Sequence, residues 1–175
     1  MTYDPSHAKA TLPRPLYVVG LDDSTGSAAA LRWAVDKAVA TDGEVYAVNV
    51  FHLRTVLPAS RSALVPAEVP YGNEQQQAAL AQARNIVEST LAGVPALVCA
   101  RIEVAAVAGD PQATLIALST GADALVLGAS HHGGLAARVL GSTALGCAAN
   151  ASCPVMIVPA SWLPSRAERT EVTVS

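Results

Sequence analysis

The chain has 175 residues, of which 51% are hydrophobic and 14% are charged, and its formal net charge is −3. This length and composition predict one domain with a substantial apolar core and argue against disorder. The slightly negative charge gives no support for nucleic-acid binding, which depends on a basic surface. No apolar run approaches the roughly 20 residues that span a bilayer, so we expect no membrane partner.

The N-terminal residues and the cysteines favour a cytoplasmic protein. Residues 1–14 are polar and lack the charged and then apolar order of a signal peptide. The three cysteines of the chain are Cys99, Cys147 and Cys153. They form no C-x-x-C pair, so we interpret them as buried free thiols in a reducing compartment. A metal site that combines them with His131 or His132 is not expected, because tetrahedral sites usually contain closely spaced ligand pairs.

The first part of the chain alternates between strand and helix patterns. An apolar run predicts a first strand over Leu16–Leu21. Ser24 is a suitable N-cap for a helix that extends to Thr41, with apolar residues at helical spacing. A second strand is predicted over residues 45–51, whose nearly continuous apolar character is typical of parallel sheets.

A long connection follows, and then the alternation resumes. Residues 52–72 contain three prolines and no clear periodicity, which is typical of a functional or mobile connection. A helix is predicted over residues 73–92 and a third strand over residues 97–104. Asp110 and Pro111 then form a strong helix start, as N-cap and first helical residue.

The remaining segments complete an α/β pattern. A fourth strand is predicted over residues 124–128, a helix over residues 142–151 and a fifth strand over residues 154–158. Strict alternation of strands and helices predicts a single doubly wound sheet of five mostly parallel strands with helices on both faces. We therefore predict one domain over residues 15–159, with flexible tails before and after it.

Two predicted strands end in residues that suit a ligand. In doubly wound sheets, ligands bind beyond the carboxyl ends of the strands, where the strand order reverses. Asp22 and Gly128 both lie at such ends. After Gly128, a glycine-bearing loop leads to Gly141, Ser142 and Thr143, where a helix is predicted to begin. Backbone N–H groups of such a loop and the positive end of a helix dipole suit a phosphate.

Several motifs at these positions match a known family. They are Val19-Gly20-Leu21-Asp22-Asp23-Ser24, Leu125-Val126-Leu127-Gly128, Gly141-Ser142 and Cys153-Pro154-Val155. Over residues 16–159 the chain resembles the universal stress protein family. In ATP-binding members the loop signature is G-x2-G-x9-G followed by Ser or Thr. Gly128, Gly141 and Ser142 match it at the right spacing, and His131 stands in place of the second glycine.

The resemblance implies a stress-response protein that binds ATP, or else AMP or ADP, as a sensor or regulator, with room for a divalent cation beside the phosphates. Carried over by position, the nucleotide-binding residues are Gly20, Asp22, Val50, Leu127, Gly128, His131, Gly141, Ser142 and Thr143. In this assignment, Asp22 lies against the ribose or the phosphates, and Val50 offers its backbone to the adenine edge. Leu127 and Gly128 flank base and sugar, and the last three residues hold phosphates.

Three of these residues leave alternatives open. Asp22 could instead share the capping of the first helix with Ser24, and Ser142 could be the N-cap of the last helix. The side chain of His131 could crowd the phosphates, or its imidazole could donate a hydrogen bond to them.

The sequence contains no nucleophile elbow and no Walker-type phosphate loop. We therefore expect no dedicated enzymatic activity beyond incidental slow ATP hydrolysis. The resemblance implies a homodimer through the last strand, Pro154, Val155, Met156, Ile157 and Val158, and a bare apolar edge strand favours such pairing. One alternative is a family member that has lost nucleotide binding and acts as a dimeric interaction protein. Another is a flavodoxin-like or other small-ligand α/β enzyme.

Overall fold

The computed structural model describes residues 14–53, 71–94, 101–129 and 140–162. Within these ranges strands and helices alternate along the chain. The elements are β1 (Leu16–Leu21), α1 (Thr25–Thr41), β2 (Glu44–Phe51), α2 (Tyr71–Thr90), β3 (Ile102–Ala108), α3 (Pro111–Leu118), β4 (Ala124–Ala129), α4 (Ser142–Asn150) and β5 (Val155–Pro159). The predicted tails fall mainly on residues 1–13 and 163–175, which lie outside the described residues.

The strands form one parallel sheet in the order β3-β2-β1-β4-β5. β1 pairs with β2 on one side, where Leu16 lies opposite Glu44. It pairs with β4 on the other side, where Val19 lies opposite Val126. The chain adds strands outward from β1 to β3 and then returns to the far side of β1. The strand order therefore reverses between β1 and β4, and the predicted doubly wound α/β fold is confirmed.

Helices cover both faces of the sheet. In β1, Val19 packs into the core beneath α1 and α2, together with Leu31 of α1. Its neighbour Val18 packs into the opposite core, with Leu115 of α3 and Cys147 of α4. All five side chains are buried. Because successive residues of a strand point to opposite faces, a nearly continuous apolar strand supplies both cores.

The third strand begins and ends later than the sequence predicts. The pattern predicts residues 97–104, but β3 is Ile102–Ala108, preceded by a turn at Arg101. The Arg101 guanidinium contacts the Asp42 carboxylate and lowers the pKa of that carboxyl, mainly through their hydrogen bond. Six of the seven residues of β3 are apolar and only Glu103 is charged, but the apolar residues 97–100 that precede it in the sequence shift the predicted strand toward the N-terminus. The other predicted elements agree with the structure within two residues at each end.

Asn49 fixes the position of α2 over the sheet. This polar residue of β2 is buried, and its Nδ2 donates to the Ala79 carbonyl oxygen at 3.2 Å. We expect Asn49→Ala to lower the free energy of unfolding by about 1–2 kcal/mol, through the lost hydrogen bond and the small void. Urea denaturation measures this change. The control is Asn85→Ala, a variant of an exposed residue on α2, which should change the free energy of unfolding by less than about 0.5 kcal/mol. Equal effects of the two variants would contradict the anchoring role of Asn49.

Candidate functional site

A cavity of about 340 Å³ lies at the carboxyl edge of the sheet, where the strand order reverses. Eight of the nine nucleotide-binding residues predicted from the sequence line it, and these are Gly20, Asp22, Val50, Leu127, Gly128, Gly141, Ser142 and Thr143. The ninth, His131, lies outside the described residues. The structure therefore brings together every predicted site residue that it describes.

One end of the cavity is apolar. Its wall contains Val48 and Val50 of β2, Leu115 of α3 and Leu127 of β4. Gly20 of β1 lies between them, and a Cβ added there would come within 2.7 Å of Leu127 Cδ2 and 3.2 Å of Leu115 Cδ1. The absence of a side chain at Gly20 therefore leaves these leucines room to form the wall. Aliphatic walls of this kind suit a flat, uncharged ring such as a nucleobase.

A ring of three hydrogen bonds shapes the polar side of the cavity next to β1. Ser24 Oγ accepts the Ser27 N–H at 3.1 Å, as the N-cap of α1. Asp22 Oδ1 accepts the Ser24 N–H at 2.9 Å, and the Asp22 N–H donates to Ser27 Oγ at 3.0 Å. Asp22 thus orders the turn before the helix, while Ser24 alone caps α1. The exposed Asp22 carboxylate also lines the cavity.

Ser24 and Ser27 were not predicted to belong to the site. Both line the cavity beside Asp22. The sequence predicts Ser24 only as a helix cap, and Ser27 is nearly fully buried at 2% exposure. Serine spacing three residues apart at the start of a helix is a signal that could have indicated both.

At the opposite side, α4 begins with an open N-terminus. Its N-cap is Gly141, which has no side chain to bond the first turn, and no acidic residue follows in that turn. The predicted capping role of Ser142 is therefore wrong: Ser142 is the first helical residue, one position beyond the N-cap. The first intrahelical bond joins the Leu145 N–H to the Gly141 oxygen at 2.9 Å. The N–H groups of Ser142, Thr143 and Ala144 precede that bond and can donate to an anion.

The close packing of α1 on β4 requires a glycine at position 128. A Cβ at Gly128 would lie 2.2 Å from the Gly26 carbonyl carbon and 2.4 Å from the Ser27 nitrogen. A Cβ at Gly26 would likewise lie 2.5 Å from the Ala129 oxygen. The first turn of α1 thus rests directly on the backbone of β4. This contact joins the Asp22 side of the cavity to the β4 side, and Gly26 is a determinant of the site that was not predicted from the sequence.

The sequence model described as "Universal stress protein family" matches residues 17–159. This match covers most of the chain and all nine described elements except the first residue of β1. The chain belongs to the universal stress protein family. A comparison with proteins of curated function finds no significant match.

Solved structures of other universal stress proteins share the fold. The chain is similar to UspA from Lactobacillus plantarum at 22% identity, with a TM-score of 0.59 over 83% of this chain and 98% of that one. A universal stress protein in complex with cAMP is 25% identical, with a TM-score of 0.56 over 85% and 99% of the two chains. A family member from Burkholderia pseudomallei is 20% identical, with a TM-score of 0.56 over 82% and 95%.

The ionisable groups near the site are few. Among the described residues that line the cavity, Asp22 alone carries a charge. Across the described ranges, no three His, Cys, Asp or Glu side chains cluster as a metal site would require. Cys147 and Cys153 are free thiols, and Cys99 lies outside the described residues. Burial, followed by the charges of Asp110 and Cys153, raises the pKa of the Cys147 thiol.

In the part of this universal stress protein that the structure describes, no helix combines the length and apolar character needed to cross a bilayer.

Proposed function

We propose that this universal stress protein binds an adenine nucleotide in the cavity between β1 and β4 and acts in the stress response as a sensor or regulator. The observation that carries the proposal is the convergence of eight residues, predicted from four separate segments, on one cavity. A second support is the relative at 25% identity whose structure is described as a complex with cAMP. Both point to adenine nucleotides as the ligand class.

We propose a place for each part of the nucleotide from the residues that line the cavity. The adenine would lie against the aliphatic wall of Val50 and Leu127, with the backbone of Val50 at its edge. The Asp22 carboxylate would accept hydrogen bonds from the ribose hydroxyls, as acidic residues do beside strand ends in other nucleotide-binding sheets. The phosphate would meet the open start of α4 at Ser142 and Thr143.

We propose binding without dedicated catalysis. Among the described lining residues, Asp22 is the one acidic or basic side chain, so they contain no acid–base pair. The divalent cation beside the phosphates and the choice of ATP remain predictions from the sequence. The cytoplasmic location is likewise a prediction, supported by the free state of Cys147 and Cys153.

The first test is to purify the full chain, denature it and analyse the released small molecules by chromatography. The apo protein is then titrated with ATP, ADP, AMP and cAMP in a calorimeter. We expect a bound adenine nucleotide, a heat of binding, or both. If no nucleotide is released and no heat of binding is seen up to millimolar ligand, the proposal is contradicted. That result would favour the alternative of a dimeric interaction protein without nucleotide, which the replacement of the second signature glycine by His131 motivates.

A matched pair of variants tests the role of Asp22. Asp22→Ala should weaken adenine-nucleotide binding by about tenfold, because it removes a charged hydrogen-bond acceptor from the cavity. Asp23→Ala is the control, since Asp23 is exposed and does not line the cavity. Calorimetry of both variants separates the outcomes: equal affinities for the two would remove Asp22 from the site while leaving the cavity assignment intact.

We also propose a homodimer formed through β5. This strand pairs with β4 on one side, and no other described strand pairs with it. Residues 151–162 contain no Asp, Glu, Lys or Arg, and Met156 is 39% exposed. Apolar edge strands without charged residues favour pairing with another chain.

Met156→Lys should therefore convert the dimer to a monomer at micromolar concentration, as measured by light scattering. Val39→Lys is the control, because Val39 is an equally apolar and more exposed residue on α1, away from β5. A monomeric wild-type protein, or dissociation caused by both variants, would contradict pairing through β5.

A further inference from the structure

Two cysteines lie on the two arms of the tight turn between α4 and β5. Cys147 belongs to α4, and its carbonyl oxygen accepts the Ala151 N–H at 2.9 Å, where the helix ends. Cys153 follows two residues later, and the next residue, Pro154, already accepts the Leu125 N–H at 2.9 Å as the chain enters the sheet. Because α4 packs on both β4 and β5, this turn brings the second arm back under the helix that carries the first.

Both cysteine side chains contribute to the same apolar core, the one between the sheet and helices α3 and α4. Cys147 is fully buried in this core, and Cys153 packs against it while part of its surface remains exposed. Val155 and Ile157 of β5 pack against the same core. Cys153 therefore lies on the same side of the sheet as these alternate residues of β5, and this is the side that α4 covers.

The two thiols also interact electrostatically. Burial raises the pKa of the Cys147 thiol most, and the charges of Asp110 and Cys153 raise it further. The charge of one thiol affects another in this way only at short range, because the interaction falls off with distance. Cys147 Sγ donates to the Gln112 carbonyl oxygen at 3.9 Å. Cys147 is thus a buried, protonated thiol with a more exposed thiol beside it.

We propose that Cys147 and Cys153 form a redox-sensitive pair, which hydrogen peroxide converts to an intramolecular disulfide. The structure shows the reduced state, in which both thiols are free. Disulfides of cytoplasmic proteins are usually transient and serve redox sensing, so a pair that is free at rest agrees with the expected compartment. This site does not line the proposed nucleotide cavity, and the inference does not depend on nucleotide binding.

The exposure of the two thiols sets the order of the reaction. Cys153 is partly exposed and reacts first: its thiolate sulfur attacks one peroxide oxygen, the O–O bond breaks, and the second oxygen leaves as water after taking up a proton. The product is a sulfenic acid. The Cys147 sulfur then attacks the Cys153 sulfur, the S–O bond breaks, and the hydroxyl group leaves as water with the Cys147 proton. In total, two thiols are oxidised to one disulfide and one hydrogen peroxide is reduced to two waters.

The test maps the disulfide in the wild-type, full-length protein after treatment with hydrogen peroxide and alkylation of the remaining free thiols. Trypsin cuts after Arg138 and Arg166 and releases both cysteines in one peptide, residues 139–166. Cys99 falls in a different peptide, residues 85–101. We expect the peptide of residues 139–166 to carry no alkyl group and to weigh two hydrogen atoms less than its reduced form, while the Cys99 peptide is alkylated. Dithiothreitol added before alkylation should restore two alkyl groups to the first peptide.

Three results of this mapping would overturn the inference. They are full alkylation of residues 139–166 after peroxide, a disulfide that links this peptide to Cys99 or to a second chain, and oxidation of its cysteines to sulfinic or sulfonic acids without a disulfide. The Cys99→Ala variant is the matched control, and it should form the disulfide to the same extent as the wild type.

Two further variants test the order of the steps. In Cys147→Ala the sulfenic acid at Cys153 has no thiol to react with, so the sulfenic-acid reagent dimedone should label Cys153. In Cys153→Ala we expect at least about fivefold less label on Cys147, because that thiol is buried and protonated. Equal labelling of the two would overturn the role of Cys153 as the first thiol to react. The melting temperature of each variant shows whether it is folded, and the mapping of the wild-type protein decides the disulfide itself without any variant.

Discussion

Replacing Gly128 with alanine should lower the free energy of unfolding by about 3 kcal/mol. The reason is steric: the new Cβ would lie 2.2 Å from the Gly26 carbonyl carbon, and backbone atoms cannot move aside as a flexible side chain can. The first turn of α1 must separate from β4, which also disturbs the Asp22 turn beside the cavity. Thermal or urea denaturation of the apo protein measures the loss without any ligand.

Gly121→Ala is the comparison that separates sterics from backbone strain. Gly121 has φ +81°, and a Cβ there meets no atom within 4 Å. We expect a cost of about 1 kcal/mol from the left-handed conformation alone. If Gly128→Ala costs no more than Gly121→Ala, the close approach of α1 to β4 is contradicted. If it costs more in the absence of nucleotide, the glycine serves packing whether or not it also serves the ligand.

Replacing Gly141 with aspartate is expected to have opposite effects on stability and on binding. An Asp at this N-cap can accept hydrogen bonds from the N–H groups of the first turn, and its charge interacts favourably with the helix dipole. The free energy of unfolding should therefore stay equal or rise by up to about 1 kcal/mol. Gly141 has φ −60°, which suits any residue. The same carboxylate would occupy the phosphate position and repel it. Nucleotide affinity should fall by about 100-fold or more.

Gly141→Asn provides the matched control. Its side chain can accept the same N–H groups without a charge, so we expect a smaller loss of about tenfold in affinity with equal stability. Denaturation and calorimetry on the same samples give both quantities. Full nucleotide affinity in the stable Gly141→Asp protein would exclude the start of α4 as the phosphate site.

The sheet could be predicted because the alternating strand and helix patterns and the preferred right-handed connection between parallel strands favour the same doubly wound fold. A short apolar run such as Leu16–Leu21, bounded by turn-forming residues, favours a buried strand. The helix starts at Ser24 and Asp110 follow from capping chemistry. Parallel strands joined by helices place all their carboxyl ends on one edge. For this reason Asp22 and Gly128, more than 100 positions apart in sequence, were predicted to share a site, and both line one cavity.

Features that depend on distances between elements could not be predicted. Nothing in the sequence near Gly26 indicates that it contacts β4, because this contact depends on how α1 lies across the sheet. The start of β3 was misplaced because the apolar residues 97–100, which precede it, have the same pattern as the start of a strand. The role of Ser27 depends on a hydrogen bond to a residue in the preceding loop. The two alternatives for the His131 side chain, that it crowds the phosphates or that it donates a hydrogen bond to them, remain predictions.

The most direct measurement is an amide NMR titration of the full chain with AMP, because it reports on the proposed phosphate donors one by one. The account predicts that the amide signals of Ser142, Thr143 and Ala144 shift in a saturable manner, together with that of Asp22. Signals at the opposite edge of the sheet, such as Glu44 and Arg101, should stay unchanged. Saturable shifts that leave the first turn of α4 unaffected, or that cluster at the opposite edge, would contradict the nucleotide site.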